Sequence, residues 1–316
     1  MKRILLTTTS LVIAAGVAQA DVTFSGTAGI ALIDDNGARD AATAATAATT
    51  DDTSYGVDMF FESYYDLDIT ASAESDNGIA VSVGFDMGGG SKIDYNDDDE
   101  VELQGKDIGD ADVAVSYNGW TLTVDHAGID NLFDDTDGAQ DVKLSGTIAG
   151  WSVAVTSDES ASTSSYKLSG NVGGVALTLT GTDNDDNGGD ASKVAASYAM
   201  GNGLTVKASV EDESLASGGE DESTLGFSYA MDALTVSYTS IKPGTVAGSD
   251  SYGDEWDFSV KYTAGALVAS FAIDEADATT VIADYALGGG ASAFAAMHDK
   301  AGTASDLTTV GLNFAF

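Results

Sequence analysis

The feature that most constrains this chain is a two-residue alternation of apolar and polar side chains that recurs from Val22 to the end. The last segment shows it clearly, with small or polar residues separating Val310, Leu312, Phe314 and Phe316. Period-2 alternation gives every strand one apolar and one polar face, as half-buried sheets and membrane barrels both require. We therefore predict an all-β protein.

The alternation divides the chain into eighteen predicted strands that are joined by connections of two lengths. Short turns such as Asn77-Gly78 and Asn118-Gly119 alternate with longer acidic loops. Short turns on one rim and long loops on the other are typical of a transmembrane up-and-down barrel. After residue 20 no apolar run is long enough for a membrane-spanning helix, so a membrane-spanning fold must be a barrel. The longer loops are predicted at residues 34–54, 88–110, 127–140, 183–190, 212–221 and 242–253.

Residues 1–20 have the pattern of an export signal. Lys2 and Arg3 provide a positive start, residues 11–17 are apolar, and Ala18-Gln19-Ala20 has the small-x-small form that signal peptidase cleaves. We predict a signal peptide over residues 1–20 and a single barrel domain over residues 21–316. Cleavage removes two cationic side chains and changes the formal net charge from −39 to −41.

Composition excludes several classes of function. Fifty-one acidic residues against twelve Lys and Arg rule out nucleic acid as a partner. The chain has no cysteine, so neither disulfides nor thiolate metal sites contribute. The two histidines, His126 and His298, have no neighbouring His or Cys with which to bind a metal, and the sequence shows no nucleophile elbow. We expect no enzymatic activity; a barrel-embedded phospholipase or protease is the remote alternative.

Aromatic residues cluster beside the short turns and share the apolar phase of their strands. Ring side chains with a polar tip favour the headgroup level of a membrane, so a barrel predicts an aromatic girdle at this rim. The predicted girdle consists of Tyr117, Trp120, Trp151, Tyr198, Tyr229, Tyr262, Tyr285 and Phe316.

The opposite phase carries small and charged side chains that cannot form a dry core, so we predict a water-filled lumen. The predicted basic pore-lining residues are Lys143, Lys167, Lys193, Lys207 and Lys261, and the predicted acidic pore-loop residues are Asp125, Asp130, Asp134, Asp135 and Asp137. A basic wall facing an acidic inward loop would set a transverse field across the pore. Alternatively, the lysines only offset neighbouring lumen carboxylates. The excess of acid predicts a cation preference.

The whole chain resembles the general-diffusion porins of Gram-negative outer membranes, particularly the trimeric alphaproteobacterial type, and three segments carry the resemblance. They are Asp21-Val22-Thr23-Phe24-Ser25-Gly26, the hairpin at residues 285–292, and the closing Val310-Gly311-Leu312-Asn313-Phe314-Ala315-Phe316. The resemblance implies that Phe316 is a signal for the outer-membrane assembly machinery. It also implies a homotrimer of sixteen-stranded barrels whose third loop folds inward to narrow the pore.

Two points of the resemblance disagree with the residue pattern. The pattern gives eighteen strands, so either residues 111–125 are over-read as a hairpin or the chain carries an extra pair. The third long loop, 127–140, is short for a constriction loop, and 88–110 is the alternative if the count is wrong. The expected fold is thus a transmembrane antiparallel barrel of 16–18 strands with short periplasmic turns and longer acidic extracellular loops.

One acidic loop resembles the start of a calcium-binding loop. Residues 183–188 read Asp-Asn-Asp-Asp-Asn-Gly, but Val194 occupies the position where an EF-hand needs glutamate. We predict no required cofactor and, at most, weak Ca²⁺ binding by Asp183, Asp185 and Asn187 or by residues 94–100 and 134–137. Solvated loops without bound metal are the alternative.

The sequence therefore predicts an outer-membrane porin for passive diffusion of small hydrophilic solutes and ions. The expected partners are the lipid bilayer with lipopolysaccharide, two further copies of the chain and the assembly machinery. A substrate-specific channel is the second hypothesis, and it would be favoured by an aromatic track in the lumen, where only Tyr64 stands out. A secreted acidic surface or adhesin protein is the third.

Overall fold

The computed structural model describes residues 20–34, 59–95, 101–133, 140–158, 163–184, 189–215, 221–242, 254–299 and 306–316. No helix among these residues has the length and apolar character needed to cross a bilayer. The strands are β1 Ala20–Asp34, β2 Met59–Glu74, β3 Ala80–Asp94, β4 Glu102–Gly105, β5 Asp112–Tyr117, β6 Trp120–Ile129, β7 Gln140–Ile148, β8 Trp151–Ser157, β9 Thr163–Val172, β10 Val175–Asn184, β11 Gly189–Ala199, β12 Leu204–Leu215, β13 Glu222–Met231, β14 Leu234–Lys242, β15 Glu255–Ala264, β16 Leu267–Asp274, β17 Thr279–Gly288, β18 Ala291–Asp299 and β19 Leu307–Ala315.

Eighteen of the described strands form one closed antiparallel ring. Each strand pairs with its sequence neighbours, except that β3 pairs with β5 past the short β4, and β1 closes the ring by pairing with both β2 and β19. A closed ring leaves no strand edge unpaired, which a sheet in lipid requires. The predicted barrel and its eighteen wall strands are confirmed.

The hairpin of β5 and β6 is part of this wall. Tyr117 pairs with Trp120 across the Asn118-Gly119 turn, and both turn residues have positive φ. β5 pairs onward to β3 and β6 to β7. Residues 111–125 therefore form a true hairpin of the wall. The expectation of sixteen strands is wrong, because this hairpin supplies an extra pair of strands.

The outer face of the wall is apolar along successive strands. Val81, Val83 and Phe85 of β3 are exposed, as are Leu225 and Phe227 of β13. Soluble monomers rarely expose apolar surface on this scale, whereas a barrel in lipid must. The inner face of the wall borders the lumen. A second layer of chain lies against part of this face.

β3 leaves the wall at a run of three glycines. It pairs with β2 as far as Gly90, and the following residues, Ser91–Asp94, pair instead with β4. Gly90 has φ +85°, and a Cβ there would collide with the Ser63 carbonyl oxygen. Only glycine allows this conformation at so close an approach. We call the described residues 91–95 and 101–105 the inward hairpin; the predicted loop 88–110 thus contains strands that the sequence pattern did not predict.

Candidate pore constriction

An apolar cluster attaches the inward hairpin to the inner wall. Tyr95 stacks on Phe294 of β18 with ring centroids 4.5 Å apart and 16° between the ring planes. Both side chains are buried, at 6% and 5% exposure. Burial of this apolar surface inside a polar lumen favours the docked position of the hairpin. The cluster comprises Ala31, Ile33, Ile93, Tyr95, Val101, Phe294 and Ala296.

A chain of hydrogen bonds reinforces the same contact. The Tyr64 hydroxyl donates to Asn313 Oδ1 at 3.3 Å, and Asn313 Nδ2 donates to the Tyr95 hydroxyl at 3.2 Å. The Tyr95 hydroxyl in turn donates to Asp284 Oδ2 at 3.1 Å, and Ser292 donates to the same oxygen. The chain links β2, β19, β17 and β18 to the hairpin. Burial, and then the charge of Asp284, raise the pKa of Tyr95 above its usual range.

The base of the hairpin is fastened separately. The Lys106 ammonium lies 3.2 Å from Asp66 Oδ2 of β2, and both side chains are about one-fifth exposed. The Gly88 amide donates to the Asp107 carbonyl, and the Lys106 amide donates to the Gly90 carbonyl. The hairpin is held at both ends, so it narrows the lumen beside β1, β2 and β17–β19.

The inward hairpin corrects the predicted position of the constriction. The sequence predicts residues 127–140 as the constriction loop, and residues 88–110 only if the eighteen-strand count is wrong. The structure has eighteen wall strands, and the inward hairpin nevertheless lies within residues 88–110. The glycine run decides the outcome, because it frees β3 to leave the wall. Asp125 belongs to β6, and Asp130 follows β6 with an exposed side chain. Asp134, Asp135 and Asp137 lie outside the described residues.

The five predicted pore lysines lie on the inner face by their cross-strand register. Lys167 pairs with Thr180, and Thr180 pairs with Lys193, so both lysines belong to one inward row. Lys193 Nζ lies 2.8 Å from Glu211 Oε2. Among the described residues, no carboxylate lies within ion-pair distance of the other four amino groups. These four are Lys143, Lys167, Lys207 and Lys261.

Residues 7–314 match the Gram-negative porin family. The chain belongs to that family. Porins are channel proteins, and the closed barrel with a narrowed lumen agrees with that role. This porin is an outer-membrane protein that forms a water-filled diffusion channel.

Solved porin structures share the fold at low sequence identity. A triple mutant of the Rhodopseudomonas blastica porin is 17% identical, with a TM-score of 0.55 over 93% of this chain and 100% of that one. A double mutant of the same porin gives 17% identity and a TM-score of 0.54 over the same shares. The search of curated proteins finds no match.

The predicted girdle residues of the porin occupy the outer face at the short-turn rim. The Trp120 ring covers Gly146 and the Trp151 ring covers Gly170, since a Cβ at either glycine would come within 2.5 Å of the ring. Phe316 exchanges two backbone hydrogen bonds of 3.0 Å with Gly26. A contact with lipid headgroups stays a prediction. The remaining outward members are Tyr117, Tyr198, Tyr229, Tyr262 and Tyr285.

The predicted calcium loop lies mostly beyond the described residues. Asp183 is the last residue but one of β10 and has an exposed side chain, while Asp185 and Asn187 are outside the described part. Within the part that the structure describes, no three His, Cys, Asp or Glu side chains are grouped as a metal site would need. Weak calcium binding stays a prediction.

Sequence reasoning missed the side chains that hold the constriction of this porin. Tyr95, Phe294, Asp284 and Asn313 are absent from the predicted pore residues, in which Tyr64 stands out alone among lumen aromatics. Tyr95 and Phe294 are further rings in the lumen, but both are buried in the apolar cluster, and the described residues form no exposed aromatic track along the lumen. A usable signal was present: Ile93 and Tyr95 continue the alternation past the glycines, and Phe294 is a large ring in the polar phase of β18.

Proposed function

We propose that this porin is a passive channel that prefers cations and is narrowed by the inward hairpin. The carrying observation is the distribution of charge on the inner face. Asp68 of β2 and Asp86 of β3 are direct cross-strand partners, and Asp66 lies one inward position further along β2. Directly opposed carboxylates repel each other and favour a nearby cation.

The lysine-bearing strands β7, β9 and β11 lie elsewhere on the ring, away from β2 and β3. An acidic wall and a basic wall on different sides of a narrowed lumen produce a field across it, which orients dipolar solutes and retards apolar ones. Glu211 neutralises Lys193, and Lys106 neutralises Asp66, so these two pairs leave the balance of charge unchanged. The excess of 51 acidic over 12 basic residues in the whole chain supports a negative lumen. The expected selectivity is therefore for cations.

Reconstitution in a planar bilayer tests this proposal. The detergent-purified porin should insert in large ohmic steps, and the reversal potential in a KCl gradient should have the sign of cation selectivity. Vesicles containing the porin should swell in isotonic solutions of small sugars. An anionic reversal potential would overturn the selectivity, and impermeable vesicles would overturn the channel itself.

The proposed assembly is a homotrimer. Family membership and the shared fold support three copies of this barrel in one particle. Each inserted particle should then close in three equal conductance steps at high voltage. Detergent-corrected mass measurement should give three times the mass of the mature chain; a monomeric particle would refute the assembly.

Export and membrane insertion are proposed to use the two ends of the chain. Cleavage after Ala20 should leave Asp21 at the N-terminus, which intact-mass measurement of the cellular protein tests. Phe316, whose backbone closes against Gly26, is proposed as the residue that the assembly machinery recognises. Deleting Phe316 should lower the folded amount in cells containing lipopolysaccharide while leaving refolding into pure lipid vesicles unchanged.

Weak binding of divalent cations by the external loops is proposed from their sequence alone. Clustered carboxylates repel each other at low ionic strength, and a millimolar divalent ion offsets that repulsion. Calcium at millimolar concentration should raise the Tm of the detergent-solubilised porin above the value in chelator at matched ionic strength. Equal Tm values would show that calcium does not bind these loops.

A further inference from the structure

A recess in the inner wall lies near the short-turn rim, where β6, β7, β8 and β9 run side by side. Its volume is about 320 Å³. Pockets that hold small ligands begin at about 300 Å³. We call it the Lys167 recess, and its polar lining side chains are Thr121, Ser145, Thr147, Ser152, Lys167 and Ser169.

Short side chains on adjacent strands create the recess. Ser145 of β7 pairs with Ala154 of β8, and Ala154 pairs with Lys167 of β9. One inward position nearer the short turns, Ser152 of β8 pairs with Ser169 of β9. Since neighbouring strands lie about 4.8 Å apart, the floor that three strands provide is roughly 10 Å across. This width suits one sugar ring with a single substituent, and the longer Lys167 side chain forms one edge.

The Lys167 recess is positively charged although the chain as a whole is strongly acidic. Among the described residues that line it, Lys167 is the one charged side chain and no carboxylate is present. Lys167 is exposed, and no described carboxylate lies within ion-pair distance of its amino group. Lys193, which belongs to the same inward row, is instead paired with Glu211 at 2.8 Å. The Lys167 charge is thus available to an anion in the lumen.

Serine hydroxyl groups adjoin this lysine and can both donate and accept hydrogen bonds. Within the described part of the chain, the hydroxyl groups of Ser145, Ser152 and Ser169 have no hydrogen-bond partner. Thr121 differs, because its hydroxyl is bonded to Ser116 at 2.8 Å. A lysine binds phosphate as a point charge, and hydroxyl groups suit the hydroxyl groups of a sugar. The lining therefore matches a solute that carries both.

The inward hairpin leaves the recess uncovered. Going around the ring from β9 to β18 crosses nine of its eighteen strand pairings, so the hairpin packs on the opposite wall. On the wall of the recess, the Leu132 amide donates to Ser165 Oγ at 2.8 Å, one inward position further from the short turns than Lys167. The recess therefore lies on the short-turn side of that contact and opens to the lumen.

We propose that the Lys167 recess is a weak binding site for monosaccharides that carry a phosphate group. The ammonium holds the phosphate, and the serine hydroxyl groups hold the sugar. The inference rests on the proposed channel function but not on its ion selectivity, because one local site does not set the charge of the whole lumen. A channel site must bind well enough to attract its solute and weakly enough to release it.

Solute block of the ion current tests the site. Glucose 6-phosphate, added at constant ionic strength, should reduce the single-channel KCl current along a saturating curve and increase the current noise. Glucose alone and inorganic phosphate alone should act more weakly over the same range, because each makes only part of the contacts. A linear decrease with glucose 6-phosphate, no larger than that with glucose, would overturn the proposal, since an unbound solute reduces the current without saturation.

Two matched pairs of variants locate the site. Lys167→Gln should raise the half-saturating concentration roughly fivefold, as loss of one exposed charge contact does. Lys207→Gln makes the same charge change at a lumen lysine outside the recess and should leave that concentration unchanged. Ala154→Leu fills the recess without a charge change and should abolish saturation. Ala195→Leu, on the inner face of β11, is its control and should behave as the wild type.

The outcomes separate this inference from the channel function. Equal shifts in the two lysine variants would assign the block to the general charge of the lumen and overturn the recess as its site. Unchanged saturation in Ala154→Leu would overturn it as well. Failure of the wild-type protein to form any channel would instead refute the proposed function, whereas open channels without a saturating block would refute this inference alone.

Discussion

Tyr95 and Phe294 form a ring stack in the middle of a polar lumen, with centroids 4.5 Å apart. One ring belongs to the inward hairpin and the other to β18, so the stack joins the constriction to the wall. The hydrogen bond from the Tyr95 hydroxyl to Asp284 fixes the orientation of the Tyr95 ring against the wall. We expect the position of the hairpin, and with it the width of the pore, to depend on this pair.

Truncation of the stack should release the hairpin. Tyr95→Ala removes a buried ring, and losses of this kind cost on the order of 3 kcal/mol. Single-channel conductance and current noise should both increase. Tyr238→Ala is the control, because Tyr238 stacks on Trp256 at 6.4 Å on the outer face and should leave the conductance unchanged. Wild-type conductance in Tyr95→Ala would show that the stack does not position the hairpin.

Alkaline pH should loosen the hairpin through Tyr95. Burial and Asp284 raise the pKa of Tyr95 above the ordinary tyrosine value of about 10. Because the pKa of Tyr95 is raised, the attachment keeps its full stability at every pH below the ordinary tyrosine pKa. It weakens as the pH rises from there through the raised pKa, because only the detached tyrosine ionises readily.

Current noise should therefore rise above about pH 10 in the wild type. Tyr95→Phe, which keeps the ring stack and has no ionisable hydroxyl, should lack this rise while showing a weaker attachment at neutral pH. Identical alkaline profiles for the two proteins would assign the transition to another group, such as a lysine.

Removing the Lys106 charge should strengthen cation selectivity. Lys106→Gln leaves Asp66 without its ion-pair partner at the base of the hairpin, which increases the negative charge of the lumen. The reversal potential should shift toward the ideal cation value. Lys242→Gln breaks an equally short pair with Asp254, but that pair is exposed and distant from the hairpin, so it should produce little change. Equal shifts in both variants would indicate an effect of net charge alone.

Adding a methyl group under the Trp151 ring should destabilise the barrel. A Cβ at Gly170 would come within 2.5 Å of that ring, whereas at Gly226 the nearest atom, Lys207 Cβ, is 3.6 Å away. Gly170→Ala should lower the free energy of unfolding by about 1–3 kcal/mol, as overpacking does. Gly226→Ala should stay close to the wild type. Urea unfolding in lipid vesicles, followed by tryptophan fluorescence, measures both; no difference would mean that the ring moves aside freely.

The barrel wall could be predicted from the sequence because its information is local. The alternation of Val310, Leu312, Phe314 and Phe316 predicts a closing strand, and the structure has it as β19 at Leu307–Ala315, since alternation over nine residues fixes which face each side chain takes. The Asn118-Gly119 turn likewise identifies the β5–β6 hairpin, because both residues adopt positive φ. The same rule places Lys167 and Trp151 on opposite faces without any knowledge of their distant neighbours.

The interior of the barrel could not be predicted in the same way. The inward hairpin lies in a stretch that reads as an acidic loop, and its docking depends on Phe294 and Asn313, which lie far away in sequence. The position of Asn131 and Leu132, which follow β6, depends in the same way on Thr182 and Ser165. Alternation by itself thus determined the all-β wall and the face of each side chain, because adjacent residues of a strand must point to opposite sides, but it left the barrel at 16–18 strands. Only the closed tertiary structure decided which loops enter the lumen and where they attach, since those contacts join side chains that ring closure brings together.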